Sequence, residues 1–562
     1  MLPDRVSRKL TAFGVAASNG RQVKDLVRLM GHPELWEVGY ANLYSNQGAL
    51  TKGVDNNTLD GFSRDRVLNL IELIKDGRYQ PAPVRRTHIP KGNGKFRPLG
   101  LPSGDDKLVQ EVARLILDAI YEPIFSDRSH GFRAGRSCHT ALESIKRDWT
   151  GIKWFVDVDI KGFFDNIDHD KLIEMLSKRI LDKRFLRLIK GMLTAGYIED
   201  WTFHKTYSGT PQGGVCSPIL ANVYLHELDE FLEVMKSQMD VGKRRPTTPA
   251  YNHLAYQMKQ LRKSIEADKA QGTFDPTTSL DLSMYRKLER ERRTIPSRDP
   301  MFAGLKRLQF CRYADDVLIG VIGTKDDARQ AMDQVKSFLA KELRLDVSEE
   351  KSNISPARQG TLYLGYDVKT IHGNRTIKRY QLEGANHQSQ SRARNGKVIL
   401  SVPKTRVIRF CKTRKYGDWG ATRSTHRGYL VNHTDLEIID AYNAEMRGFA
   451  NYHQLAYDVK MANMNKLYYI WRGSLLATLA AKHSSSVNKE YTKLKRAEGL
   501  SLRFEVKGAT RYRKVYALKD LRRRNIYDAQ VDNLPNVNKN LHTHEILQRL
   551  NAETCEYSYV GT

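Results

Sequence analysis

The residues best suited to chemistry are three aspartates from two distant places, Asp159 and the adjoining pair Asp315 and Asp316. In WFVDVDI (154–160), Trp154, Val156, Val158 and Ile160 alternate with Phe155, Asp157 and Asp159, the period of a β-strand, so Asp157 and Asp159 share one face. The apolar run 308–321 is interrupted by Ala314, Asp315 and Asp316, which predicts two short strands joined by a tight acidic turn. A strand end facing such a turn can gather carboxylate oxygens, the donors that hard Mg²⁺ requires. Two such ions roughly 4 Å apart stabilise both the attacking and the leaving oxygen when a 3′-hydroxyl displaces pyrophosphate from a nucleotide's α-phosphate. Two Mg²⁺ ions are therefore the expected cofactors, although YADD (313–316) alone is a short string that recurs by chance.

The rest of the chain must position these groups and find them a substrate. Lys and Arg number 92 against 64 Asp and Glu, a formal charge of +28, which points to a polyanionic partner, nucleic acid above all. At 562 residues the chain predicts roughly three to five packed units. No stretch approaches the uninterrupted apolar run of about 20 residues that spans a bilayer, so no membrane partner is expected. The basic start of the chain has no secretory apolar region and only faintly resembles an organellar presequence, which favours a cytoplasmic, bacterial protein. The five cysteines are far apart and form no CxxC pair, so reduced thiols are expected rather than a zinc site or disulfides.

Helical spacing recurs in Leu108, Val112, Leu115, Ile116, Ala119 and Ile120, again in Leu220, Tyr224, Leu228 and Phe231, and again in Ile438, Tyr442, Met446, Phe449 and Tyr452. The charged stretch at about 236–300 separates two core-like segments and reads as an insertion, and polar 383–395 reads as a linker.

Taken in order, IPKGNGKFRPLGLP (89–102), HGFRAGRSCHTAL (130–142), DIKGFFD (159–165), TPQGGVCSP (210–218), YADD and TLYLGYDV (361–368) resemble the sequence blocks of reverse transcriptases. The wording GFRAGRS and PQGGxxSP is similar to group II intron-encoded proteins, the reverse transcriptase/maturase family. The resemblance implies an α+β right-hand polymerase fold, fingers and palm built on antiparallel sheet, followed by an α-helical thumb/maturase domain and a small basic C-terminal region. The expected divisions are an N-terminal extension (1–60), fingers and palm (61–372), thumb and maturase X region (373–500), a DNA-binding region (501–540) and an HNH endonuclease entrance (541–562).

The resemblance also implies roles. It makes Asp159, with Asp157 as fallback, the first metal ligand alongside Asp315 and Asp316, and carries Ile160 to both metal and nucleotide binding. Phe164 falls where the family places a bulky residue beneath the nucleotide sugar, which favours dNTPs, with a plain core aromatic as the competing reading. Arg97 and either Lys91 or Lys95 flank a glycine-containing tip suited to a triphosphate. Gln212 and Tyr313 are expected at the incoming nucleotide, although Gln212 equally suits a turn before a helix starting near Ser217. Lys351 resembles the lysine that protonates departing pyrophosphate, or is an ordinary exposed lysine. Leu364 and Gly365 resemble the primer-grip turn, where glycine admits the primer backbone or is simply structural.

Downstream, RGFANYHQLA (447–456) and LAAKHSSSVNKEYTKLK (479–495) resemble the maturase X region. There Lys482, His483, Lys489 and Lys493 are expected to neutralise RNA phosphates, or to form a solvated helix face. The implied partners are group II intron RNA, an RNA template with a DNA primer, dNTPs and target DNA; oligomeric state is not legible. The C-terminal LHTHEILQRLNAETCEYSYVGT has Ser558 where a second metal-site cysteine would follow Cys555, so no second-strand cleavage is expected. The expected function is an RNA-directed DNA polymerase that also promotes splicing and mobility of its intron. The alternatives are a non-enzymatic RNA-binding splicing factor on the same fold and a host-defence reverse transcriptase; the first would lack aspartates that are present, the second the X-like helices and basic tail.

Overall fold

The computed structural model describes residues 4–521 except 45, 56, 91–93, 95, 200, 201, 211, 212, 300, 301, 373–376, 382–387, 393, 394 and 507. The chain opens with helices Asp4–Ser18, Leu26–Met30, Pro33–Tyr44 and Arg64–Lys75, the last started by Ser63, whose side chain accepts from the Arg66 amide. These helices and the connection before the last bury Leu29, Trp36 and Phe62 in the same core as the central sheet, so the N-terminal segment is packed into the body that carries that sheet.

Two strands follow, β1 (Val84–Pro90) and β2 (Phe96–Leu101), paired antiparallel with Ile89 opposite Arg97. Helix Gly104–Tyr121, capped by Ser103, then packs into the core with Leu108, Val112, Ile116 and Ile120 buried, as its apolar spacing predicts. After helix Cys138–Asp148 come β3 (Trp154–Asp159), β4 (Tyr197–Glu199) and β5 (Thr202–His204). Strand β4 adds to β1 in parallel, giving a fingers sheet of order β2-β1-β4-β5. Helix Ser217–Met239 begins where Ser-Pro predicts, and β6 (Arg307–Tyr313), β7 (Asp316–Ile322) and β8 (Asn353–Pro356) complete a palm sheet of order β6-β7-β3-β8.

The palm sheet explains its own sequence pattern. Val156, Val158, Val317, Ile319 and Val321 enter the core beneath helices Gly104–Tyr121 and Ser217–Met239. Phe155, Leu318 and Ile322, on the opposite face, join a second core shared with helix Cys138–Asp148 and the thumb. Asp157, Asp159 and Asp316 lie on this second face by the period of two, and their end of it is polar.

Between Met239 and β6 the charged insertion forms two helices, Pro249–Ala270 and Leu280–Thr294, that pack on each other, with Leu254, Met258 and Ile265 buried. Strand β10 (Tyr366–Thr370) is the centre of a three-stranded sheet, pairing with β9 (Thr361–Tyr363) on one side and with Val398–Ser401 on the other. The polar segment expected to be a linker is instead partly strand: Gln388–Arg392 pairs with Ile377–Gln381. Ladder hydrogen bonds come from the main chain, so Gln and Ser side chains do not forbid a hairpin that hydropathy cannot reveal.

The thumb comprises helices Lys404–Thr413, Asp435–Tyr452, Ala462–Lys482 and Val487–Leu494. Thr434 and Glu437 form a capping box that starts the second, and buried Trp471 donates to the Tyr442 carbonyl at 3.2 Å. Hairpin Gly499–Val506 with Ala509–Lys514 follows. Residues 522–540 of the expected DNA-binding region and the stretch resembling an endonuclease entrance, with Cys555 and Ser558, lie outside the described residues. Cys138, Cys216, Cys311 and Cys411 are buried, and among the described residues none is in a disulfide. No helix among the described residues is long and apolar enough to cross a membrane.

Candidate active site

Asp159, the last residue of β3, stands directly opposite Asp316, the first of β7, and Asp315 occupies the two-residue turn from β6. Directly opposed residues of an antiparallel pair project from the same face, so the register itself brings Asp159 and Asp316 together. Asp157, two residues back on β3, shares that face and touches Thr361 at 3.4 Å.

The turn is held by a buried network. Ala314 has φ 55°, a left-handed conformation that costs a Cβ-bearing residue roughly 1–2 kcal/mol. Arg312 donates to the Ala314 carbonyl at 2.9 Å and to Asn222 Oδ1 at 3.0 Å, while its Nε and other terminal nitrogen bond both Asp229 carboxylate oxygens at 2.7 and 2.6 Å. Arg312 and Asp229 are both fully buried. Beneath the turn lies Gly131, where a Cβ would come within 2.3 Å of the Ala314 nitrogen; only glycine lets the GFRAGRS segment lie this close.

Crowded carboxylates raise one another's proton affinity. Burial of the groove floor, then Asp315, Asp157 and Asp159, pushes Asp316 up to about 7, with Lys351 opposing, although the Asp316 side chain stays open to the groove. Burial and Asp159 also raise Asp315, against Arg97 and Lys351, and burial with Asp159 pushes Asp157 up to about 6. Lys351 reaches Asp159 at 3.0 Å, carried by a loop tied to the strand end through Ser348 N to Asp159 O (2.8 Å) and Asp159 N to Ser352 Oγ (3.1 Å). Among the described residues no three His, Cys, Asp or Glu side chains are already gathered closely enough to hold an ion. Asp159 and Asp316 share a face and Asp315 adjoins them in the turn, without the three closing on one point, and Lys351 occupies Asp159.

The other expected residues fall around this centre unevenly. Phe164 is half-buried, edge-on to Phe163 at 5.2 Å and to Phe132 at 6.4 Å, and its carbonyl accepts from Thr210 N at 2.8 Å. This bond joins DIKGFFD to TPQGGVCSP. The latter is held from behind by buried Gln110, whose Oε1 accepts from Val215 N at 2.8 Å. Ile160 buries its side chain, so any part it plays falls to its main chain. Tyr313 ends β6 directly opposite Asp316. Arg97 is exposed on β2 and near enough to lower Asp315. Lys91, Lys95 and Gln212 lie outside the described residues.

Leu364 and Gly365 form the two-residue turn between β9 and β10, both at positive φ (44° and 75°), as a type I′ hairpin demands. In the thumb, Lys482, His483 and Lys493 converge on one acid, Asp435, at 3.2, 3.0 and 3.9 Å, so part of their charge is already compensated within the chain. Lys489 is exposed on helix Val487–Leu494.

Arg312, Asp229, Asn222 and Gln110 are the positioning residues that sequence reasoning passed over. Arg312 carried one signal, a cation beside the apolar Phe310 and Cys311 in a strand of the central sheet.

Comparison with known proteins agrees with this architecture. Residues 89–245 and 286–368 match the family described as reverse transcriptase (RNA-dependent DNA polymerase), and residues 395–549 match type II intron maturase. The interruption falls on the helical insertion. The chain is similar to the group II intron-encoded protein LtrA of Lactococcus lactis subsp. cremoris, 42% identical over 482 residues, 84% of this chain and 77% of that protein. It is 35% identical to an uncharacterized 91 kDa protein in the cob intron of Schizosaccharomyces pombe, and 33% identical to a putative COX1/OXI3 intron 1 protein of Saccharomyces cerevisiae. These alignments cover 80% and 82% of this chain and 53% of each of those two proteins. A palm whose acidic turn faces an acidic strand end, joined to a maturase-type thumb and matched along most of its length by an intron-encoded relative, places the chain in the group II intron-encoded reverse transcriptase/maturase family, as an RNA-directed DNA polymerase with a role in splicing that binds intron RNA, template and primer.

Proposed function

We propose that Asp159, Asp315 and Asp316 hold two Mg²⁺ ions and that the chain copies RNA from a DNA primer with dNTPs, carrying its intron into target DNA by priming on the cut site. The observation that carries this reading is the direct opposition of Asp159 and Asp316 with Asp315 in the adjoining turn. Reverse transcriptases generally use Mg²⁺. The chemistry of the donors fits: Asp159 and Asp316 stand opposed on one face and Asp315 adjoins them in the turn, three hard oxygen donors suited to a hard cation. Bound there, the ions would stabilise charge on the attacking and leaving oxygens. The main chain of Ile160 is a further donor in this scheme.

The protein's own groups do the rest. Arg97, with Lys91, binds the triphosphate; Gln212 and Tyr313 line the nucleotide site; Leu364 and Gly365 seat the primer end. With the Asp159 carboxylate engaged by a cation, the Lys351 ammonium that now pairs with it would be free to give a proton to departing pyrophosphate.

Phe164 packs edge-on against Phe163 and Phe132 while its carbonyl accepts from Thr210 N, and so held it presents a rigid floor to the sugar. Primer extension on an RNA template tests this. Wild type incorporates dNTPs and rejects rNTPs, and Phe164→Ala accepts rNTPs about tenfold or more better relative to dNTPs, since a lost steric contact is worth about 1–3 kcal/mol. An unchanged preference removes the gate.

Lys482, His483, Lys489 and Lys493 contribute to RNA binding in the cytoplasm, with Asp435 holding three of them in one cluster. Affinity for intron RNA is expected to fall steeply between 50 and 200 mM salt, roughly a thousandfold for a surface neutralising about six phosphates on the duplex DNA scale. A filter-binding series that ignores salt would contradict a phosphate-dominated interface.

A further inference from the structure

Three motifs far apart in sequence meet at the Leu364–Gly365 turn. His139 of HGFRAGRSCHTAL contacts the Tyr452 carbonyl at 2.7 Å, the Tyr366 hydroxyl donates to the same carbonyl, and the Tyr452 hydroxyl donates back to the Leu364 carbonyl at 3.0 Å. Tyr452 belongs to RGFANYHQLA, so the thumb's motif holds the turn in the left-handed conformation that Leu364, with its Cβ, resists. His453, next in the chain, is buried, and burial pushes it down to about 4, so a neutral ring packs here.

The glycine of the turn has a different occupant from the one its sequence suggests. A Cβ on Gly365 would lie 2.1 Å from one terminal nitrogen of Arg406 and 2.5 Å from its Cζ, so the absent side chain makes room for a guanidinium. That guanidinium also lies 5.6 Å from the Tyr452 ring centroid, within cation–π range, while the Arg406 residue as a whole remains exposed. Arg406 is thus a cation fixed against a turn, flanked by an aromatic ring and open to solvent. A planar fork of donors so placed suits a phosphate of a strand crossing the turn.

We propose that Arg406 contacts a backbone phosphate of the primer strand at the Leu364–Gly365 turn, and that Tyr452 is a positioning residue that sets both the turn and the guanidinium. This rests on the reading of that turn as the primer grip. It assigns a phosphate-binding role to the first thumb helix, Lys404–Thr413, and makes the maturase motif part of the polymerase site.

The test uses the full chain with a primer annealed to an RNA template, measuring kcat, KM for primer–template, and the dependence of binding on salt. Arg406→Gln is expected to raise KM about tenfold with kcat little changed, the loss of one charge-assisted hydrogen bond, and to reduce the slope of log affinity against log salt by about one. Arg406→Lys restores the slope but only part of the affinity. Tyr452→Phe keeps the ring, raises KM and leaves the slope alone. Gly365→Ala, which displaces the guanidinium, raises KM in any protein that uses this turn as a grip. If Gly365→Ala raises KM while Arg406→Gln leaves both KM and slope at wild-type values, the arginine contact is wrong and the grip stands. If folded Gly365→Ala, judged by an unchanged melting temperature, also binds primer normally, the grip reading fails and the inference with it.

Discussion

Asp316→Asn is expected to abolish RNA-templated DNA synthesis and at the same time to raise the melting temperature of the metal-free protein. The first effect follows from removing one charged oxygen donor from a centre that stabilises transition-state charge by several kcal/mol, a loss on the order of a thousandfold in rate. Asp315→Ala is expected to be equally inactive in primer extension while still binding intron RNA, because the thumb lies outside the substitution. The second effect follows from proton linkage. In the folded, metal-free protein Asp316 sits at about 7, above the ordinary range of an unfolded aspartate, so the folded state holds the proton more tightly. Its contribution to stability is fully present below the unfolded pKa near 3.9 and is lost as pH rises through about 7. Asparagine removes that penalty, so the gain in melting temperature appears at pH 8 and vanishes at pH 4. Thermal melts of both proteins in EDTA at those two pH values decide it: equal melting temperatures at pH 8 mean that Asp316 is not crowded, and synthesis by Asp316→Asn at wild-type rate means that it is not a ligand.

Arg312→Ala is expected to destabilise the protein by about 3–5 kcal/mol, because it leaves Asp229 buried, charged and unpaired. Losing the donor to the Ala314 carbonyl also removes the restraint on a strained turn that carries Asp315. A compensated pair, Arg312→Met with Asp229→Leu, separates the two consequences. An apolar pair of similar volume recovers most of the stability in urea unfolding, since it leaves no buried charge. It does not recover kcat, since nothing then bonds the turn carbonyl. If the double variant copied RNA at the wild-type rate, Arg312 would be holding the fold together and not the metal turn.

Much of the site was legible because it obeys short-range rules. The period of two in WFVDVDI put Asp157 and Asp159 on one face, and the break in 308–321 announced the turn that carries Asp315. Helix periodicity likewise gave Gly104–Tyr121, Ser217–Met239 and Asp435–Tyr452. The hairpin at Ile377–Gln381 and Gln388–Arg392 was misread because main-chain pairing leaves no mark on hydropathy. The polar groups of the maturase motif were readable as residues but not as an arrangement: nothing in KHSSSVNKEYTKLK says that two of its lysines and its histidine converge on Asp435, 47 residues before Lys482.

By itself, the sequence determined the chemistry available: oxygen donors for hard cations, an excess of positive charge for a polyanion, and the strands and helices whose periodicities are local. Only the tertiary structure decided which groups support one another, that Arg312 and Asp229 pair beneath the acidic turn, that Lys351 rests on Asp159, and that Arg406 fills the space Gly365 leaves. The reason is physical. Periodicity is set by the backbone geometry of adjacent residues, whereas a buried hydrogen bond or a filled void depends on surfaces brought together from hundreds of residues apart, and no single segment contains that information.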